Sequence, residues 1–272
     1  MESPSLSVGM VGLGAMGLPI AQRLLAAPFK VSAVARRPDA AREAAALGIE
    51  VVDSISELAA RSDVLIICVY SDEQVDEVTF GAGGIAEGLG PETILINHTT
   101  GRPSTAQRLD ALAAERGASF LDCALSGGPH DIARGELTLL VGGDVEVLDR
   151  ARRVLESYAS PILHVGAAGD GQKVKLLNNA VFGAQVALAV QAEKAAVGLG
   201  MDPGPVLAAL TQGSARSFAL EAASGHGSAS GLVASAGRFI AKDVAVCEEV
   251  ADELGADLGS LLALAREATP PG

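Results

Sequence analysis

The first part of the chain alternates short apolar runs with segments whose apolar residues recur at helical spacing. Runs such as LSVGMVGLG, DVLIICVY and ETILINHTT have the length and composition of buried strands, whereas MGLPIAQRLLAA and PDAAREAAALG have the spacing of helices. Further helices are expected near residues 56–60, 72–79 and 103–116. Strands that alternate with helices predict a parallel sheet covered by helices on both faces.

After Gly169 the pattern changes, because strand-like runs stop and Ala-rich segments of helical spacing dominate. The chain therefore predicts an α/β fold, in which a Rossmann-type doubly wound sheet is followed by a long interdomain helix and a smaller all-α domain. We place the first domain, which contains the predicted sheet, at residues 1–166 and the second, all-helical domain at residues 167–272. The runs ELTLLVGGD and SPILHVG are expected to add the last strands to the sheet.

The composition narrows the class of protein. With 272 residues, 49% of them hydrophobic, the chain can bury a substantial core, and its net charge of −13 argues against nucleic-acid binding. The three cysteines lie far apart, which favours buried thiols in a reducing cytosol over a disulfide or a metal site. Because the chain lacks a signal-peptide pattern and an uninterrupted apolar run of membrane-spanning length, we expect it in the cytoplasm and not in a membrane.

The glycine-rich run GLGAMG lies between the first predicted strand and the first predicted helix. In a dinucleotide site, the first glycine permits a tight turn, the second lets a pyrophosphate approach the backbone, and the third allows close packing of helix and strand. The helix N-terminus then offers N–H groups to the phosphates. The expected cofactor contacts in this run are Gly12, Leu13, Gly14, Ala15, Met16 and Gly17.

The second predicted strand ends in Ala-Arg-Arg, where an NAD-selective site usually has an acidic residue for the ribose hydroxyls. Two guanidinium groups, those of Arg36 and Arg37, suit the 2′-phosphate of NADP. The sequence therefore predicts NADP with NAD as a possible second cofactor. The alternative is a solvated arginine pair in an enzyme that accepts both cofactors.

The segment DGQKVKLLNN begins the long apolar helix. On a helix, Gln172, Lys175 and Asn179 share one face, whereas Lys173 points away from it. A lysine partly removed from water has its charged form disfavoured, which suits a group that exchanges a proton with a substrate hydroxyl. The alternative is a lysine that extends from the edge of the core into solvent.

Other polar groups are expected at the carboxyl ends of the strands, where open α/β sheets bind ligands. Ser126, Gly127 and Gly128 follow one strand and can present a hydroxyl and backbone N–H groups to a carboxylate. The segment NHTTG closes another strand; its His98 could face the site, or it could make an ordinary hydrogen bond at the strand end.

These motifs, in this order, resemble the β-hydroxyacid dehydrogenase family, which includes 3-hydroxyisobutyrate dehydrogenase, tartronate semialdehyde reductase and 6-phosphogluconate dehydrogenase. The similar segments are GLGAMG, NHTT, DCALSGG from Asp122, GDGQKVKLLNN from Gly169, and the late pair Lys242 and Asp243. They extend from the first strand to beyond residue 240. The resemblance implies an NAD(P)-dependent oxidoreductase that interconverts a short 3-hydroxy acid and its semialdehyde or keto form by hydride transfer.

The resemblance also implies residue roles. Lys175 corresponds to the family's catalytic lysine, the general acid and base, and Asn179 to the amide that helps to hold the substrate. The other implied contacts are Ser126, Gly127, Gly128 and Asp243 for the substrate, and Val69, Tyr70, Thr100 and Lys242 for the cofactor.

Two other functions fit the same scaffold. An NADP-dependent imine reductase shares the architecture but usually lacks a lysine at the position of Lys175, and a dinucleotide-binding sensor would not need Lys175, Asn179 and the Ser-Gly-Gly turn together. The apolar long helix and the Ala-rich C-terminal part predict a homodimer or a higher oligomer whose helical domains are in contact.

Overall fold

A computed structural model describes residues 6–35 and 38–268 of the chain. They form two compact units, of which the first ends at Lys175 and the second begins at Leu176. The domain boundary that we placed between residues 166 and 167 remains a prediction. Arg36 and Arg37, the residues expected to select NADP, lie outside the described residues.

Eight strands form one sheet among the described residues of the first unit, in the order β3-β2-β1-β4-β5-β6-β7-β8. The strands are β1 Ser7–Val11, β2 Lys30–Val34, β3 Glu50–Val51, β4 Val64–Ile67, β5 Ile94–Asn97, β6 Ser119–Ser126, β7 Leu137–Gly143 and β8 Ala159–Gly166. From β3 to β6 all neighbours pair in parallel. The chain reverses direction across the sheet at β1, which is the arrangement of a Rossmann fold. The predicted α/β class is confirmed.

Helices cover both faces of this sheet. They are α1 Gly17–Ala26, α2 Pro38–Ala46, α3 Ile55–Ala60, α4 Asp72–Phe80, α5 Ile85–Gly88, α6 Pro103–Glu115, α7 Pro129–Arg134 and α8 Val145–Leu155. Successive strand residues alternate between two separate apolar clusters, with Ile66 and Ile96 in one and Ile67 and Leu95 in the other. Burial on both faces explains why these strands read as continuous apolar runs and do not alternate with polar residues.

The far edge of the sheet differs from the purely parallel prediction. β7 pairs with β6 antiparallel, and β8 then pairs with β7 in parallel. Between β6 and β7 the chain has room only for the six-residue α7, whereas a parallel return needs a crossover of about a dozen residues or more. The eleven-residue α8 provides such a crossover between β7 and β8.

The second unit is helical, and the described residues after Gly166 contain no strand. Its helices are α9 Asp170–Gly198, which begins in the first unit, α10 Pro203–Leu210, α11 Phe218–Gly225, α12 Ala229–Leu254 and α13 Ser260–Arg266. Leu207, Leu220 and Val244 belong to its apolar core. A long helix followed by a smaller all-α part is confirmed. Within residues 6–35 and 38–268, none of the helices combines the length and apolarity that a membrane crossing requires.

Candidate active site

The turn between β1 and α1 has the backbone that a dinucleotide site needs. Gly12 has a φ of +102°, and a Cβ there would overlap the carbonyl oxygen of Cys68 at the end of β4. A Cβ on Gly17 would overlap the carbonyl oxygen of Gly12. Close packing therefore requires glycine at both positions. Gly12 lies between neighbouring strand ends, and Gly17 lies where the turn packs against the helix.

Gly14 is different, because a Cβ at this position would meet no atom within 4 Å. The tip of the turn is thus open to a ligand, and α1 behind it has no acidic residue in its first turn and no side-chain cap at Met16. An open backbone at a helix N-terminus without an acidic cap suits a pyrophosphate, which is negatively charged. The residues present here fit a dinucleotide.

The segments after β4 and β5 are joined at the same edge of the sheet. The backbone N–H of Val69 donates to Oγ1 of Thr99 at 3.1 Å, and the N–H of Thr99 donates to Oδ1 of Asn97 at 3.1 Å. Val69 and Thr100 are half-buried, and the Tyr70 side chain is 61% exposed. The predicted cofactor contacts of this edge therefore lie on two connected loops beside the turn of Gly12, which packs on Cys68 and Val69.

The Ser-Gly-Gly turn follows β6. Ser126 is half-buried, and Gly127 is exposed with a φ of +126°. The N–H of Gly128 already donates to Oδ2 of Asp131 at 2.7 Å, so this N–H is engaged within the protein. Asp131 is also paired with Arg134 at 2.7 Å. In this arrangement the hydroxyl of Ser126 and the N–H of Gly127 are the more direct candidates for a substrate carboxylate, and the substrate contacts of Ser126, Gly127 and Gly128 stay a prediction.

The first turn of α9 is anchored to the strand ends through Gln172, whose side chain is 1% exposed. Its Nε2 donates to Oδ1 of Asp122 at 2.7 Å and to the carbonyl oxygen of Thr99 at 3.1 Å. Its Oε1 accepts from the N–H of Gly101 at 2.9 Å. Lys175 lies one turn further along the same helix face and is half-buried. The predicted catalytic lysine is thus held on a helix end that is hydrogen-bonded to the ends of β5 and β6.

Asp122 is fully buried on β6, and burial raises the pKa of its carboxyl group to about 6. Hydrogen bonds from the side chain and backbone of Gln172 and from the backbone of Gly169 oppose this shift, and the nearby carboxylate of Asp170 adds to it. Asp170 is itself paired with Lys173 at 2.9 Å. At neutral pH Asp122 is therefore a buried carboxylate whose two oxygens accept hydrogen bonds from the start of α9.

In the second unit, two of the predicted site residues meet. Asn179 on α9 is 7% exposed, and its Nδ2 donates to Oδ2 of Asp243 on α12 at 2.9 Å. Lys242 and Asp243 are both half-buried. The carboxylate of Asp243 therefore fixes the orientation of the Asn179 amide.

Comparison with known proteins decides the family. Residues 7–166 match the family model described as the NAD-binding domain of 6-phosphogluconate dehydrogenase, and residues 169–269 match the model described as the NAD-binding of NADP-dependent 3-hydroxyisobutyrate dehydrogenase. The chain belongs to the β-hydroxyacid dehydrogenase family. This membership confirms the resemblance inferred from the motifs, and it makes the protein an NAD(P)-dependent oxidoreductase.

Individual members of the β-hydroxyacid dehydrogenase family are similar over most of the chain. L-threonate dehydrogenase of Cupriavidus necator is 35% identical over 218 residues, which are 80% of this chain and 73% of the relative. The 3-hydroxyisobutyrate dehydrogenase of Pseudomonas aeruginosa is 32% identical over 78% of this chain and 72% of its own length. The solved 3-hydroxyisobutyrate dehydrogenase of Mycobacterium tuberculosis with L-serine has a TM-score of 0.85 at 29% identity, covering 96% of this chain and 91% of that one.

Imine reductases share the scaffold at a greater distance. The imine reductase of Myxococcus stipitatus in complex with NADP+ has a TM-score of 0.64 at 19% identity, covering 96% of this chain and 93% of that one. Identity at this level shows a common fold and nothing about the reaction. The dehydrogenase interpretation is therefore preferred over the imine reductase alternative. It is also preferred over the alternative of a non-catalytic sensor, because the chain belongs to a family of dehydrogenases.

Sequence reasoning missed three contributors to this edge of the sheet. Asp122 begins the motif DCALSGG, but the motif does not indicate its hydrogen-bond partner, which is fifty residues away along the chain. Thr99 and Asp131 were not singled out. A usable signal existed for Asp122, because an aspartate inside an apolar strand requires hydrogen-bond donors from elsewhere in the fold.

Proposed function

We propose that this chain interconverts a short 3-hydroxy acid and its semialdehyde or keto form, with Lys175 as the proton-transfer group. The observation that carries the proposal is the placement of Lys175. It lies half-buried on the helix turn that Gln172 ties to Asp122 and Thr99, at the sheet edge that also holds the turn of Gly12. A proton-transfer group has to be held at this edge, because open α/β sheets bind their ligands there.

The division of labour follows from the chemistry of each group. A nicotinamide cofactor held at the turn from Gly12 to Gly17 would supply the hydride-transfer chemistry. Lys175 takes the proton of the substrate hydroxyl in the oxidation direction and returns a proton to the carbonyl oxygen in the reduction direction. The Ser126 hydroxyl and the Gly127 N–H are the proposed donors to the substrate carboxylate. Asn179, oriented by Asp243, is the proposed amide contact of the substrate.

A panel of short 3-hydroxy acids and semialdehydes, with NADP(H) and NAD(H) and with a cyclic imine as a further substrate, tests this function. We expect turnover with at least one hydroxy acid or semialdehyde and none with the imine, followed as the change in reduced cofactor absorbance. Activity on the imine with none on any hydroxy acid would contradict the proposal and favour the imine reductase alternative.

For the cofactor we propose that Arg36 and Arg37 favour NADP by pairing with its 2′-phosphate. Replacement of both arginines by alanine is then expected to raise the KM for NADP by about 5- to 30-fold while the KM for NAD changes little, because roughly 1–2 kcal/mol of charge-assisted bonding is lost. Equal changes of both KM values would show that the arginines do not bind the 2′-phosphate of NADP.

We also propose that the protein is cytoplasmic and forms a homodimer or a higher homo-oligomer. In support of dimerisation, large apolar side chains on α9 and the following turn are more than half exposed, namely Leu188, Val197, Leu199 and Met201. The free and buried thiols of Cys68, Cys123 and Cys247 suit a reducing compartment. Light scattering at micromolar concentrations is expected to give the mass of a dimer or a higher oligomer, and Leu188→Lys should shift it toward a monomer. A monomer for the unaltered protein would contradict this assembly.

A further inference from the structure

We propose that Gln172 and Asp122 are positioning residues that set the place of the Lys175 amine; the inference rests on the proposed role of Lys175. Gln172 uses both ends of its amide, since Nε2 donates to Asp122 and Thr99 and Oε1 accepts from Gly101. One buried side chain therefore joins α9 to β6 and to the segment after β5.

The backbone adds a second connection. The N–H of Gln172 donates to Oδ2 of Asp122 at 3.0 Å, next to the side-chain bond at 2.7 Å, so the carboxylate is bound twice by one residue. Charge-assisted bonds of this kind are stronger and shorter than neutral ones. In a fully buried site they also hold direction better than exposed bonds, because water cannot replace the donors.

Close packing leaves the helix end little freedom. A Cβ on Gly171 would lie 2.7 Å from the carbonyl oxygen of Leu140, 2.8 Å from Oδ2 of Asp122 and 3.0 Å from its carbonyl oxygen. A Cβ on Gly142 of β7 would lie 3.0 Å from the N atom of Gly171. The first turn of α9 thus lies directly on the backbones of β6 and β7, and only glycine fits at this approach.

The consequence for Lys175 is geometric. It follows Gln172 by three residues on a continuous helix, so a shift or rotation of the first turn moves its Cα by a similar amount. A misplacement of about 1 Å at a reacting group can reduce the rate by roughly 100-fold. Gln172 also bonds to Thr99 and Gly101, the two neighbours of Thr100. It therefore fixes the position of Lys175 relative to the loop that is expected to contact the cofactor.

A double-mutant cycle separates positioning from general stability. Gln172→Ala and Asp122→Asn are each measured in single turnover with reduced cofactor, in the unaltered chain and in the Lys175→Ala background. We expect each change to lower the rate constant by about 10- to 100-fold when Lys175 is present, and by less than about 3-fold when Lys175 is already absent. Equal losses in both backgrounds would overturn the positioning role, as would an undiminished rate in the unaltered background.

The same cycle distinguishes this inference from the proposed function. If Lys175→Ala alone retains the full rate, the role of Lys175 fails and the positioning role fails with it. If Lys175→Ala is impaired and the losses are equal in both backgrounds, the positioning role alone fails.

Two further variants control for folding. Gln191→Ala removes an exposed amide of the same helix, one that donates to Glu267 at 3.1 Å, and is expected to leave the rate within about 2-fold. Gln172→Glu keeps an acceptor for Gly101 but places a carboxylate against Asp122, and two carboxylates at this distance share a proton. Its rate should therefore recover toward acidic pH, whereas that of Gln172→Ala should not. A loss in Gln172→Glu that is the same at every pH would contradict the proposed hydrogen-bonding role.

Discussion

Two buried titratable side chains lie close to each other on or just after neighbouring strands, and their hydrogen bonds connect them to different parts of the first unit. His98 directly follows β5 and is 2% exposed, and Asp122 lies on β6, is 0% exposed and pairs in register with Asn97. Both nitrogens of His98 contact the core, Nδ1 at 2.7 Å from the carbonyl oxygen of Cys123 and Nε2 at 2.8 Å from the hydroxyl of Tyr158. Asp122 instead faces the start of α9 through Gln172.

The difference lies in the charge that each group has at neutral pH. Burial lowers the pKa of His98 to about 4, so His98 is neutral, and burial raises the pKa of Asp122 to about 6, so Asp122 is ionised. A neutral, doubly hydrogen-bonded histidine belongs to the core, as the ordinary strand-end interpretation expected. A carboxylate kept ionised in spite of burial costs stability unless donors compensate it, and here the side chain and backbone of Gln172 at the start of α9 donate to Asp122.

The pKa shifts of Asp122 and His98 make the free energy of unfolding depend on pH in opposite directions. The folded pKa of Asp122 is raised from 3.8, so its contribution is fully present below about pH 3.8 and is lost as the pH rises through about 6. The folded pKa of His98 is lowered from 6.5, so its contribution is present above about pH 6.5 and is lost as the pH falls through about 4. In the unaltered protein the two slopes largely cancel.

The largest expected effect comes from His98→Asn. Asparagine cannot titrate, so the variant lacks the loss of stability that His98 causes at low pH. Relative to the unaltered protein, its free energy of unfolding should therefore rise by about 3 kcal/mol between about pH 7 and about pH 4. Chemical denaturation at a series of pH values measures this difference. A constant difference across the range would show that His98 is not held neutral by burial.

Asp122→Asn should change the pH dependence of the free energy of unfolding in the direction opposite to that of His98→Asn. The unaltered protein loses the contribution of Asp122 as the pH rises, whereas the variant has no carboxyl group to ionise. Its free energy of unfolding, relative to the unaltered protein, should therefore rise by about 2–3 kcal/mol from about pH 4 to about pH 7. The same denaturation series measures it. A relative stability that falls toward neutral pH would contradict the raised pKa.

Gly171→Ala tests whether the region of Asp122 depends on close backbone contact. The added methyl group meets two carbonyl oxygens and the carboxylate, so we expect a loss of about 2–3 kcal/mol in the free energy of unfolding. Gly198→Ala in the same helix is the matched control, because a Cβ there meets nothing within 4 Å, and it should change stability by at most about 1 kcal/mol. Equal effects of both variants would show that the contact at Gly171 is not tight.

Tyr158→Phe is expected to have the smallest effect. It removes the hydroxyl at Nε2 of His98 and leaves a buried ring nitrogen without its partner, which costs about 1–2 kcal/mol. Because this contact belongs to the core and not to the start of α9, kcat should stay within about 2-fold. Thermal unfolding and steady-state kinetics check the two parts. A large loss of kcat at unchanged stability would connect His98 to catalysis.

Local patterns explain why most of the fold could be predicted. The glycines of the first turn, the apolar strands and the face shared by Gln172 and Lys175 are encoded within a few residues of one another. The antiparallel β7 was not predicted, because it depends on the length of one connection. The bonds from Asp122 to Gln172 and from Gly128 to Asp131 depend on three-dimensional partners, and only the second pair is close in sequence.

The most direct test of the account is single-turnover reduction of the best semialdehyde by Lys175→Ala, with cofactor binding titrated in parallel. If Lys175 transfers the proton, the rate constant should fall by roughly 100- to 10,000-fold while the dissociation constant of the reduced cofactor stays within about 3-fold. A variant that reduces the substrate as fast as the unaltered protein would contradict the proposed mechanism.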